Sequence, residues 1–397
     1  MMIIGSDTPN YREYRESQVY QRLVKLPLLL SKKSHFLFGA RQTGKSTLID
    51  QQLGDDTLLI DLLDSDFYQP LLKRPKTLSE MVLKEKPIVV IDEVQKLPSL
   101  LDEVQRLLKS KQWTFLLTGS SPRKLKRGGA NLLAGRAHRA ELLPLVTAEI
   151  PDFKLMRYLN HGGLPSIYDA DDSQEELAEY VDLYLREEVL AEALVRDLQP
   201  FARCLDVLGH DTGCEINLKS IGDDCGVTGK TVANYISILE DTLVGYTLPA
   251  FTKTNKRKPI TRSKFYFFDV GIARYLSGNK DINKGTQPFG SAFEHFIINE
   301  VRAYISYSKT KIPTYYWRST SGMEVDLVIG NKLAIEIKGT DASKDKHFKG
   351  LKALREEGLV EKYILVSLDP IKRKYDNWCE VIPWQDFCSH LWQGDIL

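Results

Sequence analysis

The sequence predicts an α/β protein with a parallel sheet covered by helices, followed by helical segments and a second, smaller α/β unit. Three observations predict this architecture. A short apolar strand leads directly into a glycine-containing loop and a helix at 35–50. A continuous aliphatic run at 88–91, typical of a parallel strand buried on both faces, ends in two acids. Two alternating strands at 324–338 carry Asp326 and Glu336 among aliphatic residues.

Length and composition predict a folded chain of several domains. At 397 residues, the chain exceeds the roughly 250 to 300 residues that one hydrophobic core usually supports. The formal charge of +1 means that any nucleic-acid surface must come from local segregation of charge. Five cysteines without a CxxC pair argue against a zinc ribbon or a disulfide scaffold. The early apolar run at 23–30 is interrupted and short, so we expect a cytoplasmic protein with no membrane partner.

The loop at 39–47 separates the first strand from the first long helix. Its letters GARQTGKST fit the spacing GxxxxGK[ST], in which loop amides and a helix N-terminus can surround a phosphate chain. Lys45 would reach the terminal phosphates of ATP, and Ser46 would bind Mg²⁺. The alternative is a chance turn between a strand and a helix. The predicted ATP-binding residues are Gly39, Ala40, Arg41, Gln42, Thr43, Gly44, Lys45, Ser46 and Thr47.

The next two strands end in polar residues. Asp92 and Glu93 follow the aliphatic run at 88–91, where the first acid would orient the metal and the second would activate the attacking water. The third strand, WTFLLTGSS, places Thr118 and Ser120 where they could contact the γ-phosphate or that water. Solvated strand ends and ordinary turns are the alternatives.

An arginine-rich segment follows this strand, with arginines at 123, 127, 136 and 139. Charge on a transferred phosphoryl group is commonly stabilised by an arginine, often from a neighbouring subunit. Arg136 is the first candidate for that role, and an arginine on a solvated helix face is the alternative. Action in trans would require head-to-tail oligomerisation into a closed ring.

The middle of the chain predicts a helical lid at 151–200 and then a helix-turn-helix. A first helix at 218–225, a turn at Gly226 and a second helix opened by Thr228 have the expected spacing. The second helix has a polar face, as in a recognition helix, and an apolar face that we expect to be buried, formed by Val232, Tyr235, Ile236 and Leu239. The predicted DNA-facing residues are Thr228, Lys230, Thr231 and Asn234.

A basic segment at 251–264 follows this helix, and it contains no acid. The sequence predicts two strands joined by a charged loop, which could hold duplex phosphates as a winged helix does. A solvated hairpin tip or a protein contact is the alternative. The predicted phosphate contacts are Lys253, Lys256, Arg257, Lys258, Arg262 and Lys264.

The two strands at 324–338 explain why acids occur among aliphatic residues. A tight turn over 330–332 would place Asp326 opposite Glu336, with Lys338 two residues further along. Two adjacent carboxylates repel each other unless a divalent cation neutralises them. The spacing D-x9-E-x-K is that of the PD-(D/E)xK nuclease core, and Glu294 on the preceding helix matches its usual extra acid. The alternatives are an ion pair on a solvated sheet, or a core that binds without cleaving.

The order of these segments resembles a known group of proteins. The motifs GARQTGKST, VIDEVQKLP, LLTGSS, LAGR, GGLP and EVDLVI…AIEIK together resemble prokaryotic AAA-type ATPases that carry a C-terminal PD-(D/E)xK-like domain of unknown function. The resemblance implies an AAA-type ATPase core, a winged-helix middle and a restriction-endonuclease-like C-terminal domain. By position it implies an ATP site at 39–47 with Asp92, Glu93 and Arg136. The nuclease-like site would comprise Glu294, Asp326, Glu336 and Lys338.

These patterns predict a domain order and a function. We expect an ATPase core at 1–150, a lid at 151–200, a winged helix at 201–276, a linker at 277–290 and a nuclease-like domain at 291–397. The expected function is that of a Mg²⁺-dependent ATPase that forms a ring and binds DNA, in remodelling, processing or defence, with a candidate Mg²⁺-dependent endonuclease. No small-molecule substrate beyond ATP is expected. The alternative is a nucleotide-gated interaction or scaffold protein whose nuclease-like domain does not cleave.

Overall fold

The computed structural model describes residues 19–82, 85–110, 112–123, 125, 133–188 and 198–397. Arg127, one of the arginines considered above, lies outside the described residues. None of the helices in this part of the chain is both long and apolar enough to cross a membrane.

The N-terminal domain is built on a parallel sheet of five strands in the order β2-β3-β4-β1-β5. The strands are β1 (Ser34–Phe38), β2 (Thr57–Asp61), β3 (Ile88–Asp92), β4 (Thr114–Gly119) and β5 (Ala137–Glu141). The central strands are buried along most of their length because helices cover both faces of the sheet. The predicted α/β class with a parallel sheet is therefore confirmed.

Short helices connect these strands. They are α1 (Leu26–Leu30), α2 (Lys45–Gln52), α3 (Ser65–Lys73), α4 (Leu78–Met81) and α5 (Leu100–Leu108), with 3-10 turns at Pro75–Thr77, Val94–Lys96, Leu133–Gly135 and Thr147–Glu149. Helix α5 buries Leu100, Val104 and Leu107, whose spacing places them on one helical face. The carboxyl ends of β1, β3 and β4 lie at the same edge of the sheet, since the strands are parallel.

The middle of the chain is mainly helical. Its elements are α6 (Leu155–His161), α7 (Pro165–Asp169), α8 (Ser173–Glu179), a π-helical segment (Tyr180–Glu188), α9 (Leu198–His210), α10 (Leu218–Cys225), α11 (Gly229–Asp241), β6 (Gly245–Leu248), β7 (Lys264–Phe267) and α12 (Val270–Leu276). Strands β6 and β7 form an antiparallel pair. A core cluster that includes Phe201, Val232 and Leu239 joins α9 to α11.

The C-terminal domain has a six-stranded mixed sheet in the order β12-β13-β11-β10-β9-β8. Its elements are α13 (Gln287–Tyr307), β8 (Thr314–Arg318), β9 (Glu324–Ile329), β10 (Leu333–Lys338), a 3-10 turn (Asp345–Phe348), α14 (Lys349–Arg355), β11 (Lys362–Ser367), β12 (Arg373–Tyr375), β13 (Cys379–Pro383) and α15 (Trp384–Gln393). Apolar residues of α13 and α15 pack with Ile335 and Ile337, whereas Leu351 and Leu354 of α14 pack with Ala334. The sheet is therefore covered on both faces.

The long helix α13 begins earlier than expected. It starts at Gln287, inside the segment predicted as a linker, because the Thr286 hydroxyl caps it by accepting from the Phe289 N–H at 3.3 Å. Pro288 in the first turn is compatible with this start, since a proline there loses no intrahelical hydrogen bond. The polar connection therefore ends by Thr286.

Candidate functional site

The predicted phosphate loop joins β1 to α2. The loop enters the helix at Gly44, whose φ of +87° lies in the left-handed region that favours glycine. Lys45 is buried, and its ammonium donates hydrogen bonds to the carbonyls of Gly39 at 2.8 Å and Ala40 at 3.2 Å. This cation therefore lies within the loop, at the N-terminus of an eight-residue helix where anions are favoured.

The predicted acids at the end of β3 lie beside the end of β4. The Thr118 hydroxyl donates to Oδ1 of Asp92, and the Glu93 backbone N–H donates to the same oxygen at 3.1 Å. The side-chain N–H of Gln95 donates to the Glu93 carboxylate and, at 3.1 Å, to the Ser120 hydroxyl. The structure thus brings the predicted polar residues of both strands into one cluster.

The charges of this cluster influence one another. Burial lowers the pKa of Lys45, while the negative charges of Glu93 and Asp92 act to raise it. Burial raises the pKa of Glu93, and the charge of Lys45 acts to lower it. A raised pKa makes the Glu93 carboxylate a stronger base, which suits a group that takes a proton from water.

The side chains around the phosphate loop include oxygen ligands of the kind that Mg²⁺ binds. The ion usually keeps several waters and binds through one or two protein oxygens together with substrate phosphates. Ser46 is exposed at the start of α2, and Asp92 is half-buried at the end of β3. These two side chains could hold Mg²⁺ next to the phosphates of ATP.

The predicted helix-turn-helix is formed by α10 and α11. Gly226 ends α10 in the left-handed conformation, and the Thr228 hydroxyl accepts from the Thr231 N–H at 3.2 Å to begin α11. The apolar residues of α11 are buried as predicted: Val232, Tyr235, Ile236 and Leu239. Thr228, Lys230 and Asn234 are exposed, and Thr231 is half-buried. The predicted DNA-facing side of α11 is therefore accessible in this chain.

The basic segment after α11 joins the antiparallel strands β6 and β7, but part of it pairs with the C-terminal sheet. The Phe251 N–H donates to the Tyr316 carbonyl at 2.7 Å, and the Ile260 N–H donates to the Arg318 carbonyl at 2.8 Å. The connection between β6 and β7 therefore runs along β8 of the C-terminal sheet. Arg257 is half-buried there and pairs with Glu356. Lys253, Lys256, Lys258 and Arg262 remain exposed.

Lys264 is buried on β7, so its prediction as a DNA contact is wrong. Its ammonium lies 2.7 Å from Oε1 of Glu324 and 3.3 Å from Oε1 of Glu294. Burial acts to lower the pKa of Lys264, but the charges of Glu294 and Glu324 outweigh burial and hold that pKa above its usual range. This lysine neutralises acids of the C-terminal domain.

The C-terminal acids lie in the predicted register. Strands β9 and β10 pair Ile335 with Leu327, and the next pair in this register is Glu336 with Asp326. The Lys338 ammonium lies 2.7 Å from Oε1 of Glu336 and 3.2 Å from Oδ2 of Asp326. Burial and the nearby Asp326 charge hold the pKa of Glu336 well above its usual range. The two acids and the lysine therefore meet, with the lysine between the carboxylates.

A divalent metal fits these C-terminal acids only in part. Oε2 of Glu336 is buried and has no hydrogen-bond partner among the described residues, so one carboxylate oxygen could bind an ion. Oδ2 of Asp326 accepts from the Ile337 N–H at 2.7 Å and also contacts Lys338, and Oε1 of Glu336 contacts the same lysine. In the part of the chain that the structure describes, no group of three or more His, Cys, Asp or Glu side chains is arranged to hold a metal.

A family model matches the part of the chain that contains the phosphate loop. Residues 31–151 match the family model of an AAA domain. This match supports a P-loop ATPase with the ATP and Mg²⁺ use that is typical of the class. Two domains of unknown function match later parts of the chain, DUF8612 at 152–283 and DUF4143 at 289–387.

Two similar proteins carry the description of uncharacterized proteins. One of Mycobacterium tuberculosis is 26% identical over 265 residues, which cover 64% of this chain and 59% of that protein. One of Methanocaldococcus jannaschii is 26% identical over 304 residues and covers 68% of each chain. The chain thus aligns with less than two thirds of the length of the mycobacterial relative.

Two solved structures show weak likeness. A Walker-type ATPase of Pyrococcus abyssi has a TM-score of 0.42 at 14% identity, with 63% of this chain and 93% of that chain covered. The ORC1 protein of Aeropyrum pernix, in complex with DNA, has a TM-score of 0.25 at 14% identity, with 62% and 87% covered. At these TM-scores neither likeness says what this chain binds.

The structure adds a residue to the AAA-like domain that no motif predicted. Arg22 is buried, and its guanidinium donates to the Thr43 carbonyl of the phosphate loop at 2.6 Å, to the Leu143 carbonyl at 2.6 Å and to Glu149 at 3.0 Å. A single arginine before the first helix carries no sequence signal. Only its three partners, which are distant in sequence, reveal its role.

A cavity of about 290 Å³ lies beside the phosphate loop. Its lining includes Gly44 and Thr47 together with Tyr20, Pro165 and Asp169. Pro165 belongs to the GGLP segment, so α7 and the segment before α1 both reach the loop. The cavity is thus bounded by parts of the chain that the sequence places in different domains.

Proposed function

We propose that this chain binds and hydrolyses ATP with Mg²⁺, and that it does so to act on DNA. The observation that carries the proposal is the electrostatic interaction of a buried loop lysine, Lys45, with the two acids at the end of β3. Lys45 would bind the β- and γ-phosphates, Ser46 and Asp92 would hold Mg²⁺, and Glu93 would accept a proton from the attacking water. Thr118 holds Asp92, and the nucleoside would occupy the cavity beside Gly44.

The position of Arg136 supports action in trans. Arg136 is exposed and directly precedes β5, whose first residue, Ala137, pairs with Ser34 at the start of β1. The phosphate loop follows Phe38 at the opposite end of β1, about 13 Å away for a five-residue strand. Arg136 could therefore serve only the ATP of a neighbouring copy. This geometry supports a head-to-tail ring.

The exposed face of α11 supports DNA binding. A contact also links α11 to the ATP site: the Ser121 hydroxyl donates to the Asp241 carbonyl at 3.1 Å, and Arg123 pairs with the Asp241 carboxylate at 2.8 Å. Ser121 and Arg123 lie one and three residues after Ser120, so a change at the γ-phosphate has a short route to the end of α11. Lys253, Lys256, Lys258 and Arg262 would add phosphate contacts if they face the same duplex.

The test is ATP turnover with and without duplex DNA. We expect DNA to stimulate turnover in the natural chain. Lys45→Ala should lose ATP binding, and Glu93→Gln should bind ATP but lose turnover. The exposed Lys73→Ala is the matched control. The affinity for DNA should fall steeply with salt and should weaken in Lys230→Ala. A natural chain without affinity for adenine nucleotide would refute the ATPase, and turnover that DNA leaves unchanged would refute the DNA partner.

The C-terminal domain supports a second candidate function, metal-dependent cleavage of a phosphodiester. The free oxygen of Glu336 beside Asp326 and Lys338 favours it. The two lysines that neutralise the acids, Lys338 and Lys264, favour binding without cleavage instead. Nicking of plasmid DNA with Mn²⁺ decides between them. Cleavage must disappear in both Asp326→Ala and Lys338→Ala, and activity that survives either change would come from a contaminant.

A further inference from the structure

Gln95 lies between the ends of β3 and β4, directly behind the two acids. Glu93 has a φ of +55°, a left-handed conformation that is uncommon for a residue other than glycine. A 3-10 turn at Val94–Lys96 follows at once. The sharp turn brings the Gln95 side chain back to the strand ends, where the residue is only 5% exposed.

The side-chain amide of Gln95 joins two residues of the candidate ATP site. Its N–H group donates to the Glu93 carboxylate and, at 3.1 Å, to the Ser120 hydroxyl. A Glu93 that accepts a proton from water must be ionised, and an ionised carboxylate requires this orientation of the amide because it has no hydrogen to donate. Since Glu93 follows β3 and Ser120 follows β4, the amide connects the ends of two neighbouring strands.

Gly119 leaves the space that this amide needs. A Cβ atom at Gly119 would lie 2.1 Å from Oε1 of Gln95, which is closer than real contacts allow. That oxygen is buried and has no hydrogen-bond partner among the described residues. A buried oxygen without a partner carries a cost that an apolar side chain of the same size would avoid. Filling space in the core therefore does not explain why this position carries an amide.

We propose that Gln95 is a positioning residue for ATP hydrolysis, whose amide fixes the Glu93 carboxylate relative to the Ser120 hydroxyl. The proposal rests on the ATPase function proposed above. In hydrolysis, a water oxygen attacks the γ-phosphorus, the bond from that phosphorus to the bridging oxygen of ADP breaks, and a water proton passes to Glu93. Gln95 touches none of these atoms. Gln95 instead determines the position of the Glu93 carboxylate that accepts the proton.

Two substitutions test this role, one at Gln95 and one at the glycine that its amide packs against. Gln95→Met keeps the size of the side chain and removes its hydrogen bonds. Gly119→Ala keeps Gln95 but pushes its amide aside, which the flexible end of the side chain permits without unfolding the strand. Displacement of a catalytic group by about 1 Å can cost on the order of a hundredfold in rate. We therefore expect kcat to fall by about that factor in each variant, with little change in the Kd for ATP.

The double variant separates positioning from two independent structural effects. If both changes act through the same amide, Gln95→Met with Gly119→Ala should be no slower than either single variant. The exposed Gln174→Met is the control for a glutamine-to-methionine change. No variant should melt well below the natural chain, and Gln95→Met removes the cost of the unpaired Oε1. Should Gln95→Met not fold, Gly119→Ala alone still tests the inference.

The outcomes are distinct. A folded Gln95→Met with unchanged or higher kcat would overturn the inference and leave the ATPase standing. Effects of the two substitutions that multiply in the double variant, or a loss that appears in Kd and not in kcat, would also overturn it. No ATP turnover by the natural chain would overturn the proposed function and this inference together.

Discussion

Replacing Arg22 should lower both the stability of the chain and its affinity for ATP. The Arg22 guanidinium is 3% exposed and donates to the carbonyls of Thr43 and Leu143 and to the Glu149 carboxylate. Through these contacts it connects the segment before α1, the phosphate loop and the segment after β5. A lysine could not replace it, because one ammonium lacks the planar fork that serves three separate acceptors.

The structure sets the size of the effect of Arg22→Met. The substitution leaves the Glu149 carboxylate, whose side chain is fully buried, without its cation. Breaking a buried pair by removal of one partner costs about 3–5 kcal/mol. The N–H groups of Leu23 and Val146 still donate to Glu149, at 2.8 and 3.3 Å, so we expect a value near about 3 kcal/mol. Combining Arg22→Met with Glu149→Gln should recover part of this loss, because no unpaired charge remains.

Urea unfolding and ATP affinity together check this prediction. The control is Arg74→Met, because the ion pair of Arg74 with Glu80 is mostly exposed. Its loss should lower the free energy of unfolding by about 1 kcal/mol or less. The Kd for ATP should rise in Arg22→Met, since the Thr43 carbonyl loses its donor and the loop can rearrange. A variant within about 0.5 kcal/mol of the natural chain, with unchanged ATP affinity, would refute the reasoning.

Three further predictions concern the middle and C-terminal regions. Lys264→Met should lower the free energy of unfolding, measured in urea, by about 3 kcal/mol. The control Lys258→Met, at an exposed lysine, should change that free energy by less than about 0.5 kcal/mol. Equal effects of the two substitutions would contradict the buried ion cluster. Burial raises the pKa of Glu300 to about 7. Because that folded pKa lies above the unfolded value, the free energy of unfolding should fall by about 2–3 kcal/mol as pH rises from 5 to 8, and Glu300→Gln should lose this slope. Asp241→Asn should leave ATP turnover without DNA unchanged but reduce its stimulation by DNA several-fold; full stimulation would refute the proposed link.

The parts of the fold that sequence could predict depend on short-range spacing. The phosphate loop, the acids after β3, the turn between α10 and α11 and the register of β9 with β10 are each set within about twenty residues. Hydrophobic periodicity and glycine positions determine such features locally. The tight turn at 330–332, for example, leaves one pairing that buries the apolar faces of both strands.

The parts that could not be predicted depend on distant partners. Lys264 belongs to a run of basic residues, and nothing local distinguishes it from Lys258. The structure shows that its partners, Glu294 and Glu324, come from another domain. In the same way, the sequence predicts a basic connection that could hold duplex phosphates, because its pairing with β8 arises only in the folded chain. Charge counts predict a charged segment but not the surface that covers it.

One helix of the C-terminal domain connects the two candidate sites. The Tyr307 hydroxyl, at the end of α13, accepts from the Leu143 N–H at 3.1 Å. Arg22 binds the Leu143 carbonyl and the Thr43 carbonyl of the phosphate loop. The same helix carries Glu294, beside the C-terminal acids. If ATP binding moves the loop, α13 must accommodate that movement, since its side chains are packed into the core. Any factor by which ATP changes binding at the C-terminal acids must then equal the factor by which a ligand there changes ATP affinity, because coupling between two sites is reciprocal.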